Sequence, residues 1–276
     1  MTARPIRRNA QTPDRNGKIF YTSTTSLSHI SKKTGLKTPL VTCITDISMH
    51  PEWTASQTDI YLAPTQEIKR HLIKEGTRAE DILVTGIPVR QQFLDADCRQ
   101  KRERNRTRRV LIMGGGLGLM PDLKELLEKL HSMQGVESVV ITGKNHKMYE
   151  EWVNRYEDVE VLGYTENISR YMRGADLVIT KAGGITLFEI LHSQVPLFVI
   201  HPFLEQEMNN ARYAAEKGFA KVIWGRREDY IPELEKLLSD EKMMEEMTGN
   251  VRRACKEMIE VSLDEAVGIM EERMTA

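Results

Sequence analysis

The chain has 276 residues, 40% of them hydrophobic and 29% charged, with a formal net charge of −1. That length suits two α/β units, or one and part of another, and no apolar run is long enough to span a bilayer. Met1-Thr-Ala-Arg-Pro-Ile-Arg-Arg carries charge with no apolar stretch after it, so a secretory signal is not expected. Three widely spaced cysteines, Cys43, Cys98 and Cys255, form neither a disulfide framework nor a metal-binding spacing, which suits a reducing cytoplasm.

The charge is unevenly placed. Residues 1–40 carry eight Lys or Arg against the single acid Asp14. Such a run is either a solvated face or a contact for anionic lipid headgroups, worth about 1 kcal/mol per basic residue near the surface. Aromatics are sparse and no recognition motif accompanies the charge, so no nucleic-acid partner is expected.

In chain order, strands are predicted at 18–21, 40–45, 60–63 and 82–84. A helix is predicted over 65–75, with Thr65 as N-cap, Ile68, Leu72 and Ile73 on its apolar face, and Gly76 closing it. Residues 1–93 therefore read as a partial N-terminal domain, and the basic run at 94–109 as a linker. From Val110 the pattern turns regular: strands at 110–113, 138–142, 159–162, 176–180, 196–200 and 220–223. Helices are predicted between them at 121–133, 146–156, 185–193 and 205–217. Alternating βα units with almost continuously apolar strands predict a parallel sheet covered on both faces. Beyond Glu241 a helix carries Met243, Met244, Met247, Val251, Cys255, Met258 and Ile259 on one face, a stripe that reads as core. Residues 110–276 form the second domain on this reading.

The densest chemistry lies in Thr180-Lys-Ala-Gly-Gly-Ile-Thr-Leu-Phe-Glu189. Two glycines between a strand and a helix either pack that helix closely or let a ligand approach the backbone. The first free N–H groups of the helix form an anion site. Glu189, one turn inside, could accept two hydrogen bonds from a ribose diol, so a nucleotide-sugar would lie along this turn. Gly114-Gly-Gly-Leu-Gly118, containing Gly115 and Gly116, resembles a phosphate-cradling loop without the Lys-Ser/Thr of a P-loop. In His201-Pro-Phe-Leu-Glu-Gln-Glu-Met-Asn-Asn-Ala211, Gln206 and Glu207 could bond sugar hydroxyls, or the segment could merely cap its helix.

With Pro202-Phe-x-x-Gln-Glu-x-x-Asn-Ala, the glycine turn resembles the donor half of glycosyltransferase family 28, a GT-B fold of two Rossmann-like units. Val41-Thr-Cys-Ile-Thr-Asp46, His50, Trp53, Val84-Thr-Gly-Ile-Pro-Val-Arg90 and Ile141-Thr-Gly-Lys-Asn145 extend the likeness to the diacylglycerol glucosyltransferases and monogalactosyldiacylglycerol synthases. It runs from about residue 38 to about residue 240. The resemblance implies that Gly184, Ile185 and Thr186 hold the UDP diphosphate and Glu189 the ribose. Gln206 and Glu207 would hold the sugar, and the Gly143 and Tyr164 turns would flank the uracil. Ala182 stands where close relatives commonly have proline.

One departure stands out. The family opens with a glycine-rich loop ending in the histidine expected to act as base, and no Gly-x-Gly-His occurs here. The N-terminal unit is expected to be incomplete, its first βα elements supplied by a protein partner or lost with the activity. Asp46 and His50 are then the candidate catalytic groups, since either could deprotonate a hydroxyl once oriented. The expected reaction is inverting transfer of a hexose from UDP-glucose or UDP-galactose to a lipid hydroxyl, at the cytoplasmic face of a membrane. The helix dipole at Ile185 and Thr186 would stabilise the leaving UDP. On that account neither a metal nor any cofactor besides the donor is expected. The alternatives are a UDP-sugar-binding subunit and a UDP-sugar 2-epimerase.

Overall fold

The computed structural model describes residues 40–49, 53, 58–94, 107–114, 123–225 and 229–275. The predicted strand at 18–21, the basic residues of 1–39, His50, Cys98, Gly115 and Gly116 lie outside these.

The larger unit is a six-stranded, wholly parallel sheet. Its strands are β4 (Arg108–Met113), β5 (Val136–Ile141), β6 (Val159–Leu162), β7 (Leu177–Thr180), β8 (Leu197–Ile200) and β9 (Ala220–Ile223). They lie in the order β6-β5-β4-β7-β8-β9, so the order reverses between β4 and β7. Period-two alternation sorts the side chains onto two faces. Leu111, Met113, Val139, Ile141, Val178, Leu197 and Val199 build one core. Val110, Ile112, Val140, Leu177, Ile179, Phe198 and Ile200 build the other.

Helices cover both faces. In α2 (Leu123–Ser132), Leu123, Leu126, Leu127 and Leu130 recur at helical spacing and are all buried. They pack on the second face with Trp152 of α3 (His146–Trp152). On the first face lie α4 (Ile168–Gly174), α5 (Gly184–Ser193) and α6 (Glu205–Glu216). Helix α7 (Ile231–Ser239) buries Leu234, Leu237 and Leu238. Helix α8 (Glu241–Met258) crosses the end of the sheet. Its Met244 and Met247 enter one core, while Val251, Ala254 and Met258 enter the other.

The smaller unit has three parallel strands in sequence order, β1 (Val41–Cys43), β2 (Ile60–Ala63) and β3 (Ile82–Val84). Helix α1 (Gln66–Lys74) covers one face through Ile68 and Leu72. The Thr65 hydroxyl accepts from the Ile68 N–H at 3.2 Å, and Gly76 has φ +97°, as the cap and stop signals require. Ile73 does not join the buried face; its side chain is 41% exposed. The other face is covered from the far end of the chain. Helix α9 (Leu263–Thr275) lays Ala266, Ile269 and Met270 over Ile60, Leu62 and Leu83. The domain division at 94–109 thus misplaces this last helix, which packs on the N-terminal unit. Arg108 and Arg109 likewise belong to β4 rather than to a linker, paired with Glu241 and Glu137.

The two units share one core. Ile47, Ile87 and Phe93 from the N-terminal side enter the cluster that contains Ala182, Leu187 and Phe188. The segment from Gly86 to a 3-10 turn at Gln91–Phe93 makes this crossing. Gly86 has φ +75°, and a β-carbon there would sit 2.8 Å from the Phe188 ring. Only glycine meets both constraints without rearrangement.

Candidate functional site

The loops at the carboxyl ends of β4–β9 line one edge of the larger sheet. From one side to the other they present Tyr164, Gly143, Gly114, the turn 181–184, the segment 201–206 and Trp224. The turn after β7 borders the reversal in strand order, where sheets of this kind bind ligands. Gly114 and the Gly183–Gly184 turn thus follow neighbouring strands, while Gly115 and Gly116 are outside the described residues.

The glycine pair divides its work. Gly183 is the N-cap of α5, in an extended conformation, and a β-carbon on it would meet nothing nearer than 3.9 Å. Gly184 is buried, and a β-carbon on it would lie 2.6 Å from the Thr45 carbonyl oxygen and 3.3 Å from Ile87. The close approach therefore belongs to the N-terminal unit. The Gly184 α-carbon faces protein there, while its N–H belongs to the first turn of α5. Ile185, 53% exposed, and Thr186 remain on the open first turn. Asn210 locks the turn from behind, its fully buried amide donating to the Ala182 carbonyl at 2.7 Å.

Glu189 sits one turn into α5 and is only 5% exposed. Its Oε1 accepts from Arg90 Nη2 at 2.9 Å and Nε at 3.2 Å. Burial pushes its carboxyl above the usual range, and the Arg90 guanidinium pulls it part of the way back. Arg90 lies in a motif noticed in the sequence, yet nothing there assigned it a role. The pairing spans 99 positions, and no local pattern could reveal it.

The two sugar candidates separate. Glu207 Oε2 accepts, at 3.4 and 3.5 Å, from the Phe203 and Leu204 N–H groups at the start of α6. In this arrangement one oxygen of its carboxylate caps the helix. Gln206 is exposed and lies close enough to the Asp46 side chain of the other unit to lower its carboxyl. Asp46 is 8% exposed; burial raises its carboxyl above the ordinary range, against bonds from Ser48, Gln206 and Ile47. The structure thus brings Asp46, a candidate base, to the donor-side helix. His50 is outside the described residues.

Gly143, with φ +58°, and the 66%-exposed Tyr164 close adjacent strand ends. The Thr142 N–H and hydroxyl both bond the Leu162 carbonyl, at 2.8 and 3.1 Å, which holds these two turns together. Tyr164 stands clear of the sheet with its ring free to stack.

Residues 109–262 match the model of the glycosyltransferase family 28 C-terminal domain, and residues 18–89 match that of monogalactosyldiacylglycerol (MGDG) synthase. The chain belongs to glycosyltransferase family 28. It is 34% identical over 234 residues to a processive diacylglycerol beta-glucosyltransferase of Bacillus licheniformis, an alignment covering 80% of this chain and 60% of that one. The chain thus spans less than two thirds of that relative. Among solved structures, Acinetobacter baumannii MurG superposes with a TM-score of 0.63 at 14% identity, covering 90% of this chain and 70% of that one. A UDP-N-acetylglucosamine 2-epimerase superposes at 0.52 and 15% identity, covering 81% and 70%. At these identities the likeness establishes the GT-B arrangement, with its N-terminal unit partial, and not the chemistry, which one fold can vary.

Proposed function

We propose that the chain is the donor-binding part, with a portion of the acceptor part, of a hexosyltransferase. It would move a hexose from UDP-glucose or UDP-galactose to a diacylglycerol-type hydroxyl with inversion. The observation that carries this reading is the placement of Glu189: a buried carboxylate one turn inside α5, beside the strand-order reversal, where a ribose diol can replace lost solvent. The family membership and the diacylglycerol-specific relative favour a lipid acceptor over epimerisation.

On this reading the uracil stacks at Tyr164 and Gly143, and the diphosphate meets the first turn of α5 at Ile185 and Thr186. That end of the helix carries free N–H groups and a partial positive charge suited to the departing UDP. The hexose then lies toward Gln206, which places its anomeric carbon near Asp46. Burial raises the Asp46 carboxyl, in the direction a general base needs, while the Gln206 amide orients it. Among the described residues no helix is long and apolar enough to cross a membrane, and this reading places access to lipid at an anionic cytoplasmic surface, reached peripherally.

UDP should bind in the millimolar to micromolar range, about 4–8 kcal/mol. Isothermal titration of wild type and Glu189→Ala tests this, and equal binding of UDP and CMP would sink it. Transfer from radiolabelled UDP-glucose and UDP-galactose to diacylglycerol then separates the outcomes. Turnover by the chain alone points to Asp46 or His50 as base. Turnover only with an added upstream polypeptide identifies a partner that completes the N-terminal unit. Binding without transfer in either case identifies a UDP-sugar-binding subunit.

A further inference from the structure

The ribose carboxylate of the proposed site is held by a residue of the other unit. Both Nε and Nη2 of Arg90 converge on Oε1 of Glu189, and Oε2 accepts from none of the described residues. We propose that Arg90 is a positioning residue for the nucleotide: it fixes one oxygen of Glu189 so that the other faces the ribose diol, and it makes donor binding depend on the contact between the two units. This rests on the nucleotide reading above.

Three features of the surroundings support it. A carboxylate with one oxygen gripped by two donors cannot turn about its last bond, so its free oxygen is preorganised. The gripping side chain is itself fixed, its guanidinium 5.4 Å from the Phe93 ring centre and that ring 2% exposed. The segment bearing it is pinned to the donor unit on either side. Ile87 packs at Gly184, and the Ser169 hydroxyl on α4 donates to Gln92 at 3.0 Å. Separating the units would pull Arg90 away and leave Glu189 buried without its cation, the costly way to break such a pair.

The elements packed against α5 are α4, α6, α8 and the Gln91–Phe93 turn. Their other charged groups include Arg170 and Arg173 on α4, Glu207 and Arg212 on α6, and Arg252 on α8, which donates to Gln194 at the end of α5. Of the described charges, Arg90 is the one that acts on Glu189, while Arg173 acts on His192. Removing Arg90 therefore moves the Glu189 titration upward, and the affinity for UDP should fall at the acidic end first.

The test uses the full chain with Arg90→Met and Arg90→Lys, titrated with UDP from pH 5.5 to 8.5. The Glu189 carboxyl is followed by carbon NMR without ligand, and a thermal melt confirms folding. Arg90→Met should weaken UDP most at the acidic end of this range, with the deficit shrinking toward pH 8 as the carboxyl ionises in both proteins. Arg90→Lys should recover part of this, because lysine keeps the charge but not the two-donor grip. In a Glu189→Gln background, Arg90→Met should cost nothing further. A loss that is the same at every pH and persists in that background would overturn the proposal, reducing Arg90 to a packing role. So would Arg90→Met binding UDP like wild type while Glu189→Ala does not, and that result leaves the nucleotide reading standing. If the carboxyl titration moves as expected but wild type binds no UDP, the nucleotide role of both residues falls, and with it the proposed function.

Discussion

The six-stranded unit covers both faces of its sheet with helices that follow its own strands. The three-stranded unit covers one face that way, with α1, and receives the other from α9, at the far end of the sequence. One unit is locally closed; the other is finished only when the chain returns to it. The difference predicts where the molecule is weak. Contacts that join β1–β3 to α9 span some 200 positions, so their loss should affect the N-terminal unit and leave the donor sheet folded.

Removing α9 by truncation after residue 262 is the severest test. It would strip cover from Ile60, Leu62 and Leu83, each at most 8% exposed, together with Val41 and Cys43. At about 1.5–3 kcal/mol for each large side chain returned to water, the loss is on the order of 5 kcal/mol, comparable with the whole stability of a small domain. Hydrogen exchange should show β1–β3 losing protection while β4–β9 keep theirs. Uniform loss across both sheets would show that the units fold as one.

Next in size is Gly184→Ala. The new β-carbon would meet the Thr45 carbonyl at 2.6 Å, a backbone atom that cannot swing aside. Overpacking of this kind costs about 1–3 kcal/mol and should spread the units apart. Gly183→Ala, one residue earlier, adds a methyl to open space and should melt within about 0.5 kcal/mol of wild type. Equal effects from the two alanines, read as midpoints in urea, would remove the case for a tight junction at Thr45. Asn210→Ala should cost about 1–3 kcal/mol by the same measurement, because it leaves the buried Ala182 carbonyl without its donor.

The contrast between the units also marks what could be read from the sequence. The inner strands β4, β5, β7 and β8 were legible because both their faces are largely buried, which writes continuous apolar runs such as Val110–Met113 and Leu197–Ile200. The glycine turn, Glu189 and Gln206 could be placed from their positions after such strands. Helix α4 escaped notice because it buries only Ser169 and Met172, too little for a periodic signal. Helix α7 does carry one, in Leu234, Leu237, Leu238 and a proline at its first turn. Ile73 departs from its expected burial because helical spacing cannot tell the edge of a buried stripe from the solvent beside it. What the sequence had no means to show lies between units: Gly184 facing Thr45, Gln206 on Asp46, and Arg90 on Glu189. Each joins distant segments, and only the packing of the two sheets brings them together.

The smallest expected effect is the most informative about the junction. Glu189→Gln keeps the shape of the side chain and an oxygen for Arg90, but removes a buried charge. Because the folded protein holds the Glu189 carboxyl above its ordinary value of 4.5, the wild-type residue favours folding when protonated and loses that advantage as pH rises through the raised value. The glutamine variant has no such dependence. Its stability relative to wild type should therefore climb across a window that opens near the ordinary carboxylate value, and level off above the raised one. Arg90, whose side chain is 46% exposed, stays solvated where it stands when its partner becomes neutral, so little is lost on that side. A gain of about 1 kcal/mol or less at neutral pH is expected, together with a loss of UDP affinity, as where a site retains a charge for function at some expense of stability. Chemical denaturation of the two proteins at pH 4.5, 6 and 7.5 reads the trend. A variant whose relative stability falls with rising pH would mean that Arg90 more than compensates the burial of Glu189, and that the two units are clamped by this pair rather than merely aligned by it.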